Sequence, residues 1–406
     1  MKTLISIVIV TLCFGANAQV DLSNWENLKK DQNLGEQMFV QYKFHLGNHG
    51  YTGKTFSEYL TSSTIGHELR VGWRTDGSED WEKALNFPLY GVGIYGGNIG
   101  DPQYLGNPAG VYGFVQFPFL WRPKHHFNGE MAAGLTYDLV SYNATTNPNN
   151  DAIGSSVAVY FNAQIGGDIV ISKAFDLTYG ADLTHFSNGR TFTPNYGINI
   201  FSVNAGLRYN FNPIARGVKL FDPSYEPTLR PIHDKSPAGP KPKSNELNLY
   251  LAIGTVMYQV DGGRGPRYTT GTSYIEYARR YSHAAGFNVG IDFLYDGSIE
   301  ENVKRDSIRI ANNDPHTNKD NFFGGVHFGH SVYIQKFSIE TQLGIYVIKP
   351  VDYKGDWYMR VALKYQFTKR LHAQIGLKTL NGGAADWVEY GIGYKLFSSY
   401  YKKQNY

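Results

Sequence analysis

Apolar and polar residues alternate over stretches of about ten residues, and no other feature of the sequence constrains the fold as strongly. In segment 337–348 apolar residues occupy odd positions, whereas Ser338 and Glu340 occupy even ones. Segments 357–367 and 387–397 repeat this alternation. A period of two places successive side chains on opposite faces of a β-strand. Strands of this length with aromatic residues near both ends are typical of transmembrane barrels, so we predict an all-β, antiparallel outer-membrane β-barrel.

The connections between the predicted strands support the same fold, because short turns alternate with long polar loops. The short turns lie around 122–124, 172–174, 336 and 368–370, and the long loops span 141–153, 298–320 and 349–356. The 31 Tyr, 24 Phe and 45 Gly residues and a mean hydropathy of -0.35 argue against a helical membrane protein. A secreted β-sandwich would share this composition, so the strand pattern carries the argument.

We count about sixteen candidate strands, roughly eight before residue 213 and eight after 244. Interval 212–244 contains seven of the 17 prolines, which indicates an extended linker or periplasmic loop. One barrel of about sixteen strands and two eight-stranded units in tandem are both compatible with this pattern. We favour one barrel, because a single closure removes open sheet edges from lipid. The predicted segments are 1–18 (signal peptide), 19–35 (N-terminal segment), 36–213 (first barrel half), 214–244 (linker), 245–397 (second barrel half) and 398–406 (C-terminal tail).

The first residues predict export. Lys2 precedes an apolar run over 4–14, and 16–18 reads Ala-Asn-Ala, so we expect cleavage before Gln19. Cys13 is the only cysteine and lies inside this signal, which leaves no disulfide or thiol chemistry for the mature protein. A net charge of +3 predicts no nucleic-acid partner. An exported barrel of this composition belongs in the bacterial outer membrane.

Three polar residues interrupt the apolar face of the hairpin over 175–211. Counting from the strand residues, His185, Ser187 and Asn199 share the parity that faces lipid. The strand direction places them at the outer rim. If the hairpin turns near Thr193, Ser187 and Asn199 lie opposite each other. Ionisable groups on a lipid-facing surface are a hypothesis of function by default.

The residue types suit a hydrolytic serine. We predict Ser187 as the nucleophile, His185 as its base and Asn199 as the group that orients the base. The backbone N–H groups of Asn188 and Gly189 are the candidate oxyanion hole. The alternative is an interfacial loop tip in which Asn-Gly simply forms a turn.

The segment HFSNGR, with Asn199 twelve residues after the serine, resembles the active site of outer-membrane phospholipase A. That resemblance is local and implies the same three roles for Ser187, His185 and Asn199, with Gly189 as an oxyanion donor. Over about 36–213 the chain also resembles the lipid A 3-O-deacylase (PagL-type) family, whose His-x-Ser-Asn motif lies on the penultimate barrel strand. That family has a glutamate where Asn199 stands, which favours the phospholipase type of triad.

A wider resemblance covers both halves of the chain. The stretches WEKALNFPLYGVGIYGG and DWVEYGIGYKLF resemble the acyloxyacyl hydrolase or PagL-like proteins of Bacteroidetes-type bacteria. The leading expectation is therefore an outer-membrane serine esterase, a carboxylic ester hydrolase that removes acyl chains from lipid A in lipopolysaccharide. The alternatives are outer-membrane phospholipase A, acting on phospholipid, and a non-catalytic porin or structural barrel.

Two further residues are candidates for binding the substrate. His67, on an apolar strand face, could contact a lipid headgroup or simply fill the interface. The phospholipase family binds calcium at a dimer interface near this loop. Arg190 matches one residue of that region, whereas Asn195 occupies the position of a serine that would be a calcium ligand. The sequence shows no metal-ligand spacing, so we expect no required cofactor. Calcium and a homodimer stay open as alternatives implied by the resemblance.

Overall fold

The computed structural model describes residues 38–50, 53, 55–56, 60, 63–122, 124–172, 174–211, 233, 236–242 and 244–400. The predicted signal peptide, the N-terminal segment, most of the linker and the end of the C-terminal tail lie outside these residues. Within the described part the strands form two closed, eight-stranded antiparallel barrels.

The first barrel consists of strands β1 to β8, each paired with its neighbours in sequence. The strands are β1 (Met38–His49), β2 (Thr64–Arg74), β3 (Leu89–Asn98), β4 (Gly106–Arg122), β5 (His125–Leu139), β6 (Ala158–Val170), β7 (Phe175–Ser187) and β8 (Ile198–Phe211). The pairing of β1 with β8, from Met38 opposite Phe211 to His49 opposite Ile200, closes the sheet.

The second barrel consists of strands β9 to β16 in the same up-and-down order. The strands are β9 (Ser244–Val260), β10 (Gly263–Arg280), β11 (Ala285–Asp296), β12 (Phe322–Ile334), β13 (Phe337–Ile348), β14 (Trp357–Gln366), β15 (Leu371–Leu380) and β16 (Ala384–Tyr400). Pairing of β9 with β16 closes this sheet. Strand β16 continues to Tyr400, three residues beyond the predicted end of the second half at 397.

The strand count of sixteen agrees with the prediction, whereas the preference for a single barrel is wrong. The requirement that no sheet edge stays open in lipid is satisfied twice, once by each group of eight strands. That requirement is therefore compatible both with one barrel of sixteen strands and with two barrels of eight strands.

The alternation predicted from the sequence is confirmed along the strands. In β13 the side chains of Leu343, Ile345 and Val347 are exposed on the outer wall, whereas Glu340 and Gln342 are buried inside the barrel. The exposed apolar residues form the lipid-facing surface that an outer-membrane barrel requires.

Buried ion pairs fill the interiors of both barrels. In the first barrel the Arg70 guanidinium lies 2.6 Å from the Glu68 carboxylate and 2.7 Å from that of Glu130. Arg74 pairs with Asp176 at 2.5 Å, and the side chains of Glu68, Arg70 and Arg74 are all buried inside the barrel. In the second barrel, the fully buried Arg360 contacts its two carboxylate partners at 2.8 and 2.9 Å. Charges remain buried only when they are paired in this way.

The helices of the described residues are short and lie in the connections: α1 (Asp80–Ala84), α2 (Pro102–Leu105), α3 (Ile299–Arg305) and α4 (Ser307–Ala311). Among the described residues, a helix with the length and apolar character needed to cross a membrane is absent.

Candidate active site

The candidate residues lie where strand β7 ends and strand β8 begins. The connection from β6 to β7 is short, whereas β7 and β8 are joined by a longer loop over 188–197, here called the site loop. His185 and Ser187 are among the last three residues of β7, and Asn199 is the second residue of β8. All three therefore lie at the same end of the barrel, as predicted.

The register of this hairpin differs from the prediction by two residues. Asn199 lies opposite His185, and the paired strands end at Phe186 opposite Ile198. The predicted pairing of Ser187 with Asn199 is therefore wrong. The centre of the hairpin falls at residue 192 rather than 193, and a shift of one residue at the centre moves each partner by two.

This register brings Asn199 directly to the histidine. The Asn199 Oδ1 atom lies 2.8 Å from His185 Nδ1. Because an amide oxygen only accepts hydrogen bonds, Nδ1 carries the proton and Nε2 keeps its lone pair. Such a histidine can accept a proton through Nε2.

Gly197 packs closely against the same imidazole. Its φ is +83°, and a Cβ built on it would lie 2.5 Å from His185 Cε1 and 3.4 Å from His185 Nδ1. Glycine is therefore required here both for its backbone conformation and for its lack of a side chain. The site loop and Asn199 together hold the ring from two sides.

Ser187 is only 7% exposed, and its hydroxyl oxygen accepts two hydrogen bonds. The Gly189 N–H donates at 3.2 Å and the Asn195 side-chain amide donates at 2.9 Å. A hydroxyl has two lone pairs and one proton, so these bonds occupy the lone pairs and leave the proton for a base. Among the described residues no hydrogen bond joins Ser187 to His185. Side chains two residues apart in a strand share a face at a Cα spacing of about 7 Å. Catalytic hydrogen bonds are often long in structures without substrate and shorten in the complex.

The two predicted oxyanion donors differ in their present partners. The Gly189 N–H points at the Ser187 oxygen, and its φ of +62° is the left-handed conformation that glycine adopts readily. The Asn188 N–H instead donates to Asn195 Oδ1 at 3.0 Å. The Gly189 N–H therefore lies beside the Ser187 oxygen, whereas the Asn188 N–H is already engaged by Asn195.

Asn195 is the contact that the sequence reasoning missed. The sequence indicated it only as a position in a calcium site, yet it donates to Ser187 and accepts from Asn188. Its place in an irregular loop gives no periodicity from which its direction could have been read.

The two predicted substrate-binding residues are not brought to this cluster. The Arg190 guanidinium is directed at the second barrel, 3.6 Å from Asp386. His67 lies on the outer wall of β2, where its Nδ1 is 2.7 Å from the Tyr42 hydroxyl. Strands β8 and β1 separate β2 from β7. The predicted outward parity of His67 is correct, but parity says nothing about position around the barrel.

The site loop is held by the second barrel. The backbone N–H of Met257 donates to Arg190 O at 3.0 Å, and Thr193 Oγ1 donates to Gly263 O at 3.2 Å. The Arg267 guanidinium donates to Thr191 O at 3.1 Å. Residues 257–267, at the end of β9 and the start of β10, thus form part of the surroundings of the site.

The donor atoms near Ser187 do not fit a calcium site. Calcium takes six to eight oxygen ligands, usually including carboxylates. The Asn195 amide oxygen is engaged by Asn188. Across the part of the chain that the structure describes, no group of three or more His, Cys, Asp or Glu residues is arranged to hold a metal ion.

Two family models match the chain, one on each barrel. The model described as Lipid A 3-O-deacylase (PagL) matches residues 67–208, and the model described as Acyloxyacyl hydrolase, C-terminal domain, matches residues 245–399. The chain belongs to a PagL-like family. The resemblance to the lipid A 3-O-deacylase (PagL) and acyloxyacyl hydrolase proteins is confirmed, and with it the outer-membrane location of this PagL-like barrel protein.

Three solved structures are similar to the chain at low sequence identity. Neisserial surface protein A is 10% identical, with 43% of this chain and 97% of that chain covered, at a TM-score of 0.31. A porin of Rh. blastica is 9% identical, with 88% and 99% covered, at a TM-score of 0.17. Pseudomonas aeruginosa OccK11 (OpdR) is 12% identical, with 90% and 96% covered, at a TM-score of 0.21. A comparison with curated proteins found no match.

Proposed function

We propose that this protein is an outer-membrane serine esterase that removes an acyl chain from lipid A. The observation that carries the proposal is the bond between Asn199 Oδ1 and His185 Nδ1, made beside a serine whose lone pairs are already occupied. That arrangement leaves one free proton on Ser187 and one free lone pair on His185, which are the two requirements of an activated serine.

The chemistry follows the acyl-transfer sequence of serine hydrolases. Ser187 Oγ attacks the ester carbonyl carbon while its proton passes to His185 Nε2. Asn199 holds the imidazolium in place through Nδ1–H. The tetrahedral oxyanion accepts a hydrogen bond from the Gly189 N–H. To make this bond, the Gly189 N–H leaves the Ser187 oxygen and donates to the substrate oxygen instead. The protonated His185 then donates its proton to the leaving alcohol, and an acyl-serine remains.

The second half of the reaction uses the same groups. A water molecule gives a proton to His185 Nε2 and attacks the acyl-serine carbonyl. Collapse of the second tetrahedral intermediate returns the proton to Ser187 Oγ and releases the free fatty acid. Water is the only co-reactant that these steps consume.

The location of the cluster supports a lipid substrate. His185 and Asn199 are partly exposed on the outer wall at the rim, where an ester of an outer-leaflet lipid lies. The family matches favour lipid A among such lipids. Phospholipid is the second candidate substrate, because the group that orients His185 is an amide, as in the resemblance to outer-membrane phospholipase A.

A pore is less well supported than an enzyme. Both interiors contain networks of buried ion pairs. Eight-stranded barrels have interiors just wide enough for their own side chains. A purely structural barrel does not need a paired histidine and serine on its lipid-facing wall, where polar groups cost stability.

The test compares refolded wild type with Ser187→Ala and His185→Ala on lipopolysaccharide and on phospholipid separately, with products read by mass spectrometry. His330→Ala is the matched control, because His330 is also an outer-wall histidine and lies 2.9 Å from the Tyr281 hydroxyl. We expect acyl loss from lipid A with wild type and His330→Ala only. Lysophospholipid as the sole product would move the assignment to phospholipase A. Equal activity of wild type and Ser187→Ala would refute the proposed nucleophile.

A further inference from the structure

The second barrel touches the turn that carries the candidate oxyanion donor. A Cβ on Gly189 would lie 2.3 Å from Val388 Cγ2 and 3.5 Å from Leu377 Cδ1. Val388 has the outward parity of β16 and yet is only 8% exposed, whereas Tyr390 and Ile392 on the same face are 53% and 59% exposed. Contact with the first barrel explains this difference.

A shallow apolar depression lies next to this contact on the wall of the second barrel. It is open towards the bilayer instead of enclosed, and it has a volume of about 490 Å³. It follows the seam between β9 and β16, where Tyr390 pairs with Ile253 and Ile392 pairs with Leu251. Its lining residues are Leu251, Ala252, Ile253, Tyr390, Gly391 and Ile392, and none of them is charged.

The depression runs in the direction that an acyl chain would take. Strand β16 begins at the end of the barrel that contacts the site loop, so residues after Val388 lie progressively deeper in the bilayer. At about 3.4 Å per residue, Tyr390 is about 7 Å and Ile392 about 14 Å from Val388 along the strand. An acyl chain with its carbonyl at Ser187 extends from the rim towards the bilayer centre, and the seam runs in that direction from the contact between Gly189 and Val388.

We propose that the seam between β9 and β16, below Val388, is the acyl-chain subsite and sets the chain length that the enzyme prefers. This inference rests on the proposed function. The occupant is a single saturated acyl chain of the substrate, because the seam is uncharged and continuous with the contact at Gly189. The backbone bond from Met257 to Arg190 and the ion pair of Arg190 with Asp386 fix the seam relative to the reacting serine.

The test places one bulky residue at two depths. Ile253→Trp blocks the seam one pair below Val388, and Ile392→Trp blocks it one pair deeper. Ile345→Trp is the control, because Ile345 is a similarly exposed isoleucine on β13, on the opposite side of the same barrel. Hydrolysis of a series of esters of graded acyl-chain length is measured as kcat/KM for each variant.

We expect kcat/KM for the longest chains to fall about tenfold in both seam variants, which corresponds to loss of contact with about two methylenes. The shortest chains should be hydrolysed as by wild type, and the length at which the loss begins should be shorter for Ile253→Trp than for Ile392→Trp. A profile identical to that of Ile345→Trp would overturn the subsite. So would a changed oligomeric state with unchanged chain-length preference, because the seam would then be an interface with a second copy.

A binding measurement keeps the subsite testable if no ester is hydrolysed. Ile392→Trp and Ile345→Trp are each introduced into the Ser187→Ala variant. The tryptophan fluorescence of each double variant, and of Ser187→Ala alone, is measured in detergent while a brominated fatty acid is added as a quencher. Subtracting the fluorescence of Ser187→Ala removes the contribution of the native tryptophans. Stronger quenching of Ile392→Trp than of Ile345→Trp supports the subsite even if the proposed reaction is wrong. Equal quenching, with wild type active on esters, refutes the subsite and leaves the proposed function intact.

Discussion

Replacing Gly197 by alanine should disable the histidine without disturbing the barrel. The new Cβ would lie 2.5 Å from His185 Cε1, about 1 Å closer than ordinary contact, so the ring has to move by about that distance. The 2.8 Å bond to Asn199 then lengthens or breaks. Misplacement of a catalytic group by about 1 Å costs about a hundredfold in rate, or about 2.7 kcal/mol in the activation barrier.

The control separates this clash from backbone strain. Gly262 has a φ of +79°, close to the +83° of Gly197, but a Cβ at Gly262 has no atom within 4 Å. In both variants the alanine adopts a left-handed backbone conformation, which costs about 1–2 kcal/mol. Only in Gly197→Ala does the new Cβ also clash with the His185 imidazole. The assay is kcat/KM on the lipid that wild type hydrolyses, with thermal unfolding recorded in parallel. If Gly197→Ala stays within about threefold of Gly262→Ala, close packing against His185 is not needed for activity, and the reasoning fails.

Three further outcomes follow from buried contacts. Asn199→Ala should lower kcat about a hundredfold or more with little change in KM, because His185 loses the hydrogen-bond acceptor that sets its tautomer. Steady-state kinetics measures both constants, and a rise in KM with unchanged kcat would contradict this role. Arg360→Met should destabilise the second barrel by about 3–5 kcal/mol in urea unfolding, since two buried carboxylates lose their partner, whereas the exposed Lys304→Met should leave stability unchanged. Burial opposes the charged form of Lys354, but two buried aspartates outweigh it and raise its pKa. The stabilisation by this lysine is therefore complete below about pH 10.4 and is lost as the pH rises through the raised value, so Lys354→Met should remove that alkaline step from a stability-against-pH curve.

The local pattern of the sequence was sufficient to determine which way each strand residue faces. A period of two depends only on the backbone of a single strand, so the outward parity of His185, Ser187 and Asn199 could be read before any pairing was known. The inward parity of Glu68 and Arg70 could be read in the same way, and the two form an ion pair inside the first barrel. Family membership also followed from local motifs.

Closure, register and the direction of loop residues depended on contacts between distant parts of the chain. Sixteen strands with satisfied edges can close once or twice, and only the pairings of β1 with β8 and β9 with β16 decide between these outcomes. The pairing of Asn199 with His185, the bonds from Asn195 to Ser187, and the ion pair of Arg190 with Asp386 all arise in or across the site loop. An irregular loop has no period from which such directions can be read, because its conformation is set by the two barrels that hold it.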